Sequence, residues 1–237
     1  MTDAAPSPTT AASAPDPTAF IDFLVRCDAL RFGDFVGKSG RKMPYFVDFG
    51  QVRTGRQLHP LGRFYATAIA ATFGADVDIV FGPAYKGIPL AVAAGTSLAV
   101  DHGLDVGVSY DRKEAKDHGE GGRIIGAHPG DGDRVVLVED VTTAGTSVRA
   151  TVPLLHSFGD VEVVGLVVGV DRRERGSGDV AALAELGGEF GLRVVALATI
   201  DDIVAHLSEH PVDGRYVLGV DDLARIAAYR TEHGPRA

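Results

Sequence analysis

Arg134-Val135-Val136-Leu137-Val138-Glu139-Asp140-Val141-Thr142-Thr143-Ala144-Gly145-Thr146-Ser147 is the stretch on which the reading of this chain turns. Its unbroken Val/Leu run predicts a parallel strand buried on both faces. The residues that follow it predict a tight turn opening a helix over 148–158. The two acids and the hydroxyl-rich turn then stand at the carboxyl end of a strand, where open α/β sheets bind their ligands.

The turn suits an anion. Thr142, Thr143, Thr146 and Ser147 offer hydroxyls, Gly145 admits close approach of the backbone, and the first N–H groups of the following helix have no intrahelical partner. Charge-assisted hydrogen bonds to a phosphate there contribute roughly 1.5–3 kcal/mol each. Glu139 and Asp140 repel that phosphate by about 4 kcal/mol at an effective dielectric of 20. They must address another part of the ligand, such as sugar hydroxyls, and a phosphate beside a diol describes a ribose 5-phosphate. A bare helix-capping turn is the competing reading, but it leaves the adjacent acids without a purpose.

Composition bounds the rest. A chain of 237 residues with 45% apolar content can bury one sizeable core, so one domain is expected. A net charge of −9 argues against general binding to nucleic acid or anionic membranes. It leaves room for a small anion, because charges beyond a Debye length of about 8 Å are screened. Cys27 is the single cysteine, so no intrachain disulfide forms, and its apolar setting predicts a core residue. Residues 1–17 are rich in Ala, Pro, Ser and Thr and read as a disordered tail without a signal peptide. No stretch is apolar enough to span a bilayer, and a cytoplasmic protein is expected.

Working outward, apolar spacing predicts a helix over 18–30, and short strands with turns over 31–50 around the basic cluster Lys38, Arg41 and Lys42. Gly37-Lys38-Ser39 echoes the end of a phosphate-binding loop, but Phe32 occupies the position of that motif's first glycine, which removes a nucleoside-triphosphatase reading. A helix over 58–73 and a strand over 78–81 lead into Gly82-Pro83-Ala84-Tyr85-Lys86-Gly87-Ile88-Pro89, a second glycine-bearing turn that opens a helix over 90–100. Two such turns suggest a site for two anionic groups. After a strand over 106–110, the polar segment Asp111-Arg112-Lys113-Glu114-Ala115-Lys116-Asp117-His118-Gly119-Glu120-Gly121-Gly122 has no core to bury and reads as a lid. Strands over 161–170 and 193–199 alternate with helices over 181–190, 201–207 and 221–229. The pattern is α/β, a parallel sheet flanked by helices.

The stretch from Glu139 resembles the 5-phosphoribosyl-1-pyrophosphate (PRPP) motif of type I phosphoribosyltransferases. Residues 38–47, 81–90 and 110–122 are similar to orotate phosphoribosyltransferases of the bacterial type, and the likeness runs over about 20–229. It implies the type I fold with a small N-terminal hood, about 18–56, on a core of about 57–237. It also implies that Glu139 and Asp140 hold the ribose hydroxyls, while Thr142, Thr143, Ala144, Gly145, Thr146 and Ser147 wrap the 5-phosphate beside Val141. Lys38, Tyr85, Lys86, Arg112, Lys113, Lys116 and His118 then contact PRPP. Lys116, His118 and Asp140 carry the catalysis. Phe46, Val47, Thr143 and Arg172 line the orotate site, with an aromatic ring and a planar cation suited to an anionic pyrimidine. Val47 stands where the family often has a second aromatic. Further implications are Mg²⁺ held with substrate oxygens and no all-protein cage, and a homodimer whose lids reach the neighbouring site. Transfer to a purine or uracil is the alternative. A regulator lacks support because no DNA-binding element precedes residue 20, and a dinucleotide-binding dehydrogenase lacks its glycine fingerprint.

Overall fold

The computed structural model describes residues 16–37, 40–113, 123–142 and 145–236. Asp16 accepts the backbone N–H of Thr18 at 2.9 Å and caps α1 (Pro17–Arg26), with proline in the first turn. The helix stops short of the expected residue 30, because Asp28 turns left-handed at φ 56° and Leu30 already pairs in the next element. That element, β1 (Leu30–Val36), runs antiparallel to β2 (Lys42–Val47), and a short 3₁₀ turn at Phe49–Gln51 follows. β1 and β2 make a two-stranded sheet of their own.

The remaining chain alternates. Its order is α2 (Gly55–Phe73), β3 (Ile79–Phe81), α3 (Gly87–His102), β4 (Gly107–Asp111), β5 (Ile124–Gly126), β6 (Arg134–Val141), α4 (Thr146–His156), β7 (Glu162–Asp171), α5 (Ala182–Phe190), β8 (Arg193–Thr199), α6 (Ile200–Glu209) and α7 (Val220–His233). Six strands form one sheet in the order β5-β4-β3-β6-β7-β8, parallel except that β5 pairs antiparallel with β4. The expected parallel sheet is thus mostly parallel, with one short antiparallel edge.

Between β3 and β6 the winding reverses. The chain leaves β3 through α3 to reach β4 on one side, then returns to place β6 on the other side of β3. The carboxyl ends of β3 and β6 therefore flank the crevice where ligands bind in such sheets.

Alternate residues of β6 serve two cores, which explains the unbroken apolar run. Val136 and Val138 join Tyr65 and Ile69 of α2 and Leu90 and Ala94 of α3. Val135 and Leu137 join Val148 and Leu155 of α4 and Leu183 and Leu186 of α5. Each such side chain stabilises by roughly 1.5–3 kcal/mol on burial. Helices α2 and α3 touch at Gly62, where a Cβ would lie 2.4 Å from the carbonyl oxygen of Ala93. Among the described residues no helix is long and apolar enough to cross a membrane.

Candidate active site

At the end of β6, Glu139 and Asp140 are each 6% exposed, an uncommon burial for carboxylates. Their main chain is held from two sides. The Tyr65 hydroxyl of α2 donates to the Glu139 carbonyl at 2.6 Å, and Gly169 of β7 lies so close that a Cβ there would meet the Asp140 carbonyl at 2.8 Å. The side chains diverge in environment. Oε1 of Glu139 has no hydrogen-bond partner among the described residues, and burial pushes its pKa up to about 7 against the opposing bond from Ser147.

Asp140 is paired. The Lys86 ammonium lies 2.8 Å from its Oδ2 and 3.6 Å from Oδ1 of Asp48. Burial lowers the pKa of Lys86, but the bond and charge of Asp140, followed by those of Asp48, outweigh it and hold the group above its ordinary value. Asp48 is part-buried, which raises its pKa, yet the amides of Gln51 and Gly50 and the charge of Lys86 bring it below the usual carboxylate range. One lysine thus joins the β3 turn, the end of β6 and the residue that follows β2.

The β3 turn is closely folded. A Cβ on Gly82 would lie 2.0 Å from the Gly87 carbonyl, so glycine is required there. Asp111 at the end of β4 accepts the Ala84 N–H at 2.6 Å and ties the turn to the sheet. Tyr85 is left 66% exposed, with the Lys113 ammonium 4.8 Å from its ring centroid. Helix α3 opens next to Lys86 with no side-chain cap and no acid in its first turn. Gly145 precedes α4 at φ 68°, and a Cβ there would come within 2.6 Å of Leu186. Helix α4 also lacks a side-chain cap, and Thr146 and Ser147 are exposed in its first turn. Two uncapped helix N-termini therefore flank the buried acids, each suited to an anion.

At the end of β2, Phe46 and Val47 are half-buried. Phe46 stacks on Phe35 at 5.5 Å, beneath the Arg31 guanidinium at 5.7 Å. Arg172 follows β7 with its side chain 11% exposed and paired to Glu174. Its Nη2 donates to the Tyr229 hydroxyl at 3.1 Å and its Nε faces the Tyr45 hydroxyl at 3.5 Å.

Of the expected site residues, Glu139, Asp140, Lys86 and Ser147 come together, and Tyr85 meets Lys113. Val141 and Thr142 continue from the acids, with Thr142 7% exposed and its hydroxyl unpartnered among the described residues. Arg112 extends the β4–β5 pairing through its N–H to Arg123 at 2.7 Å. Lys38, Lys116, His118, Thr143 and Ala144 lie outside the described residues. Three participants escaped the sequence reading: Asp48, Tyr65 and Glu174. Only the acid directly after Phe46-Val47 carried a signal, by its adjacency to predicted base contacts.

Residues 50–182 match the family model described as the phosphoribosyl transferase domain. The chain is 48% identical over 218 residues to the orotate phosphoribosyltransferase of Lachnoclostridium phytofermentans, covering 92% of this chain and 97% of that one. It is similar to the crystal structure of orotate phosphoribosyltransferase from Francisella tularensis, at TM-score 0.77 and 33% identity, over 91% of this chain and 99% of that one. The orotate phosphoribosyltransferase of Mycobacterium tuberculosis in complex with PRPP is similar at TM-score 0.58 and 26% identity, over 80% and 99% of the two chains.

Proposed function

The chain belongs to the orotate phosphoribosyltransferases, and from that membership we propose how its own residues carry the reaction. A ring nitrogen of orotate displaces pyrophosphate from the anomeric carbon of PRPP, giving orotidine 5′-monophosphate and pyrophosphate. The observation that carries the assignment of roles is the cluster of Glu139, Asp140, Lys86 and Asp48 between two uncapped helix N-termini.

In this reading the 5-phosphate sits on the N–H groups and hydroxyls that open α4, and the ribose hydroxyls donate to Glu139 and Asp140. The unpartnered Oε1 of Glu139 is the acceptor such a hydroxyl needs. Lys86 and the start of α3 face the pyrophosphate. Orotate lies against Phe46 and Val47, with Arg172 opposite its negative charge. Glu139 and Asp140 are adjacent on one strand and do not flank the sugar as an acid and base pair. They bind it, and they stabilise positive charge as the glycosidic bond loosens.

The donor set also bears on Mg²⁺. Among the described residues no group of three or more His, Cys, Asp or Glu side chains could hold a metal ion. The acids here fit hydroxyls and water, and Mg²⁺ would be held together with substrate oxygens and water. When bound, it offsets negative charge on the leaving pyrophosphate, as do Lys116 and His118 of the lid.

The protein is then a cytoplasmic homodimer of de novo pyrimidine (UMP) biosynthesis, each lid closing over its partner's site. Mixing the inactive variants Lys116→Ala and Asp140→Asn tests the sharing, because about one quarter of sites combine an intact lid with an intact ribose site. No recovery after proven subunit exchange would exclude it. The reaction itself is followed as loss of orotate absorbance with PRPP, with and without Mg²⁺, against adenine, hypoxanthine and uracil as competitors. Mg²⁺-dependent consumption of orotate alone is expected. Turnover without any divalent ion, or faster turnover of a competitor, overturns the reading.

A further inference from the structure

Glu174 lies three residues beyond β7 and is 6% exposed, yet neither the PRPP motif nor the lid accounts for it. Its two oxygens are both engaged. Oε1 accepts the Tyr229 hydroxyl at 2.7 Å and pairs with Nη2 of Arg172, while Oε2 accepts Nη1 of Arg41 at 3.0 Å. The Tyr229 hydroxyl in turn accepts Nη2 of Arg172 at 3.1 Å. Nε of Arg172 faces the Tyr45 hydroxyl at 3.5 Å, and Nη2 also lies 3.2 Å from Sδ of Met43. Of the three nitrogens of Arg172, Nη1 is the one without a partner among the described residues.

We infer that Glu174 is a positioning residue for the acceptor site, holding Arg172 so that its Nη1 amino group is what remains for a planar, anionic acceptor. The inference rests on the reading that Arg172 faces orotate.

Charge supports it. The cluster sets two guanidinium groups, Arg41 and Arg172, against one carboxylate. The nearby carboxylates Asp171 and Asp201 face two further guanidinium groups, Arg173 and Arg230, so they leave that balance unchanged. The phenols facing the cluster remain neutral, since burial pushes Tyr45 up to about 12 and also raises Tyr229. One positive charge is left over. A monoanionic pyrimidine balances it, whereas a neutral pyrimidine leaves it unmatched at the cost of partial desolvation. The clamp also makes α7 part of the acceptor site, because Tyr229 supplies one of its contacts.

The test uses four variants of the full chain, with KM for orotate, KM for PRPP, kcat and melting temperature measured for each. Arg172→Ala examines the underlying reading and is expected to raise the orotate KM. Glu174→Gln keeps the shape and removes the charge. It is expected to raise the orotate KM about ten-fold, as for loss of a charge-assisted hydrogen bond, with kcat and the PRPP KM changed by less than about two-fold. Tyr229→Phe keeps every charge and is expected to shift the orotate KM in the same direction by about three-fold. Glu174→Asp restores part of the loss seen in Glu174→Gln. Should Glu174→Gln fail to fold, Tyr229→Phe and Glu174→Asp carry the test. If Arg172→Ala raises the orotate KM while Glu174→Gln and Tyr229→Phe leave it unchanged, the positioning role is overturned and the acceptor site stands. If Arg172→Ala has no effect, the acceptor site itself is misplaced and the positioning role fails with it. Equal rises in both substrates' KM, tracking a lower melting temperature, show a merely structural role and overturn the inference.

Discussion

Glu139→Gln makes the protein more stable in alkaline solution and less active, and the size of the stability gain follows from the burial of one carboxylate. Glu139 is 6% exposed, and its pKa rises from 4.5 to about 7, chiefly through desolvation. At 1.36 kcal/mol per pKa unit, holding this group ionised in the folded state costs about 3 kcal/mol. The sign follows from proton uptake. Between its unfolded and folded pKa values the native state binds more protons than the unfolded state, so stability falls as pH rises. The cost is absent below about pH 4.5, develops between about 4.5 and 7, and is complete above that window. Glutamine has nearly the same shape and no charge to desolvate. Urea unfolding followed by circular dichroism, at fixed protein concentration without PRPP, measures the difference. The variant should exceed the natural chain by about 3 kcal/mol near pH 8.5 and match it near pH 4.5. The same variant should bind PRPP more weakly, since a carboxylate accepting ribose hydroxyls has been replaced by an amide. An offset that is constant with pH, or one that grows toward acid, refutes the reasoning.

Three further perturbations read the site from other directions. Gly145→Ala forces a side chain into φ 68° and against Leu186 at 2.6 Å; strain and overpacking together cost about 2–4 kcal/mol, and thermal melting should fall accordingly, with a raised KM for PRPP. Lys86→Met leaves Asp140 without its 2.8 Å partner. A loss of roughly 1–3 kcal/mol in denaturant unfolding and a raised KM for PRPP are expected, and no change in either would show that the pair is incidental. Tyr65→Phe deletes the 2.6 Å bond to the Glu139 carbonyl, which should cost roughly 1–2 kcal/mol and lower kcat while the orotate KM stays put.

The sheet was legible in the sequence wherever a strand is buried on both faces. Val135 to Val138 are each wholly buried, with alternate members in separate cores, and nothing but a central strand has that character. Strand β5 was not legible, since three residues ending in Gly126 carry no periodicity. Its pairing depends on Gly126 at φ 89°, where a Cβ would collide with the Val108 carbonyl at 2.1 Å. The end of α1 was misplaced for a related reason. Ala29 and Leu30 continue an apolar spacing that suits a helix, but tertiary pairing with Val47 draws Leu30 into the hairpin. The strand ending in Glu139 and Asp140 and the helix after it were legible because they are contiguous. Their supports were not, because each depends on a fold that brings distant residues together: Lys86 and Asp140 are 54 positions apart, Tyr65 and Glu139 74, and Arg41 and Glu174 133.

The proposed function sets a multiply charged anion over two buried acids, in a chain of net charge −9. A carboxylate a few ångströms from a phosphate repels it by about 4 kcal/mol at an effective dielectric of 20. In the proposed mode Glu139 and Asp140 keep phosphate from the centre of the crevice, and the openings of α4 and α3 on either side take one each. A ligand fits when its anionic groups are separated by neutral hydroxyls, with the hydroxyls over the acids. The acids set the register. In the proposed binding mode, a sugar carrying phosphate groups at both ends meets both helices and gives the unpartnered oxygen of Glu139 a donor. The reversal of strand order between β3 and β6 makes this possible, because it brings the ends of two separate strands, each feeding a helix, to opposite sides of one crevice. Lys86 offsets part of the negative charge of Asp140 and Asp48 through its contacts with both.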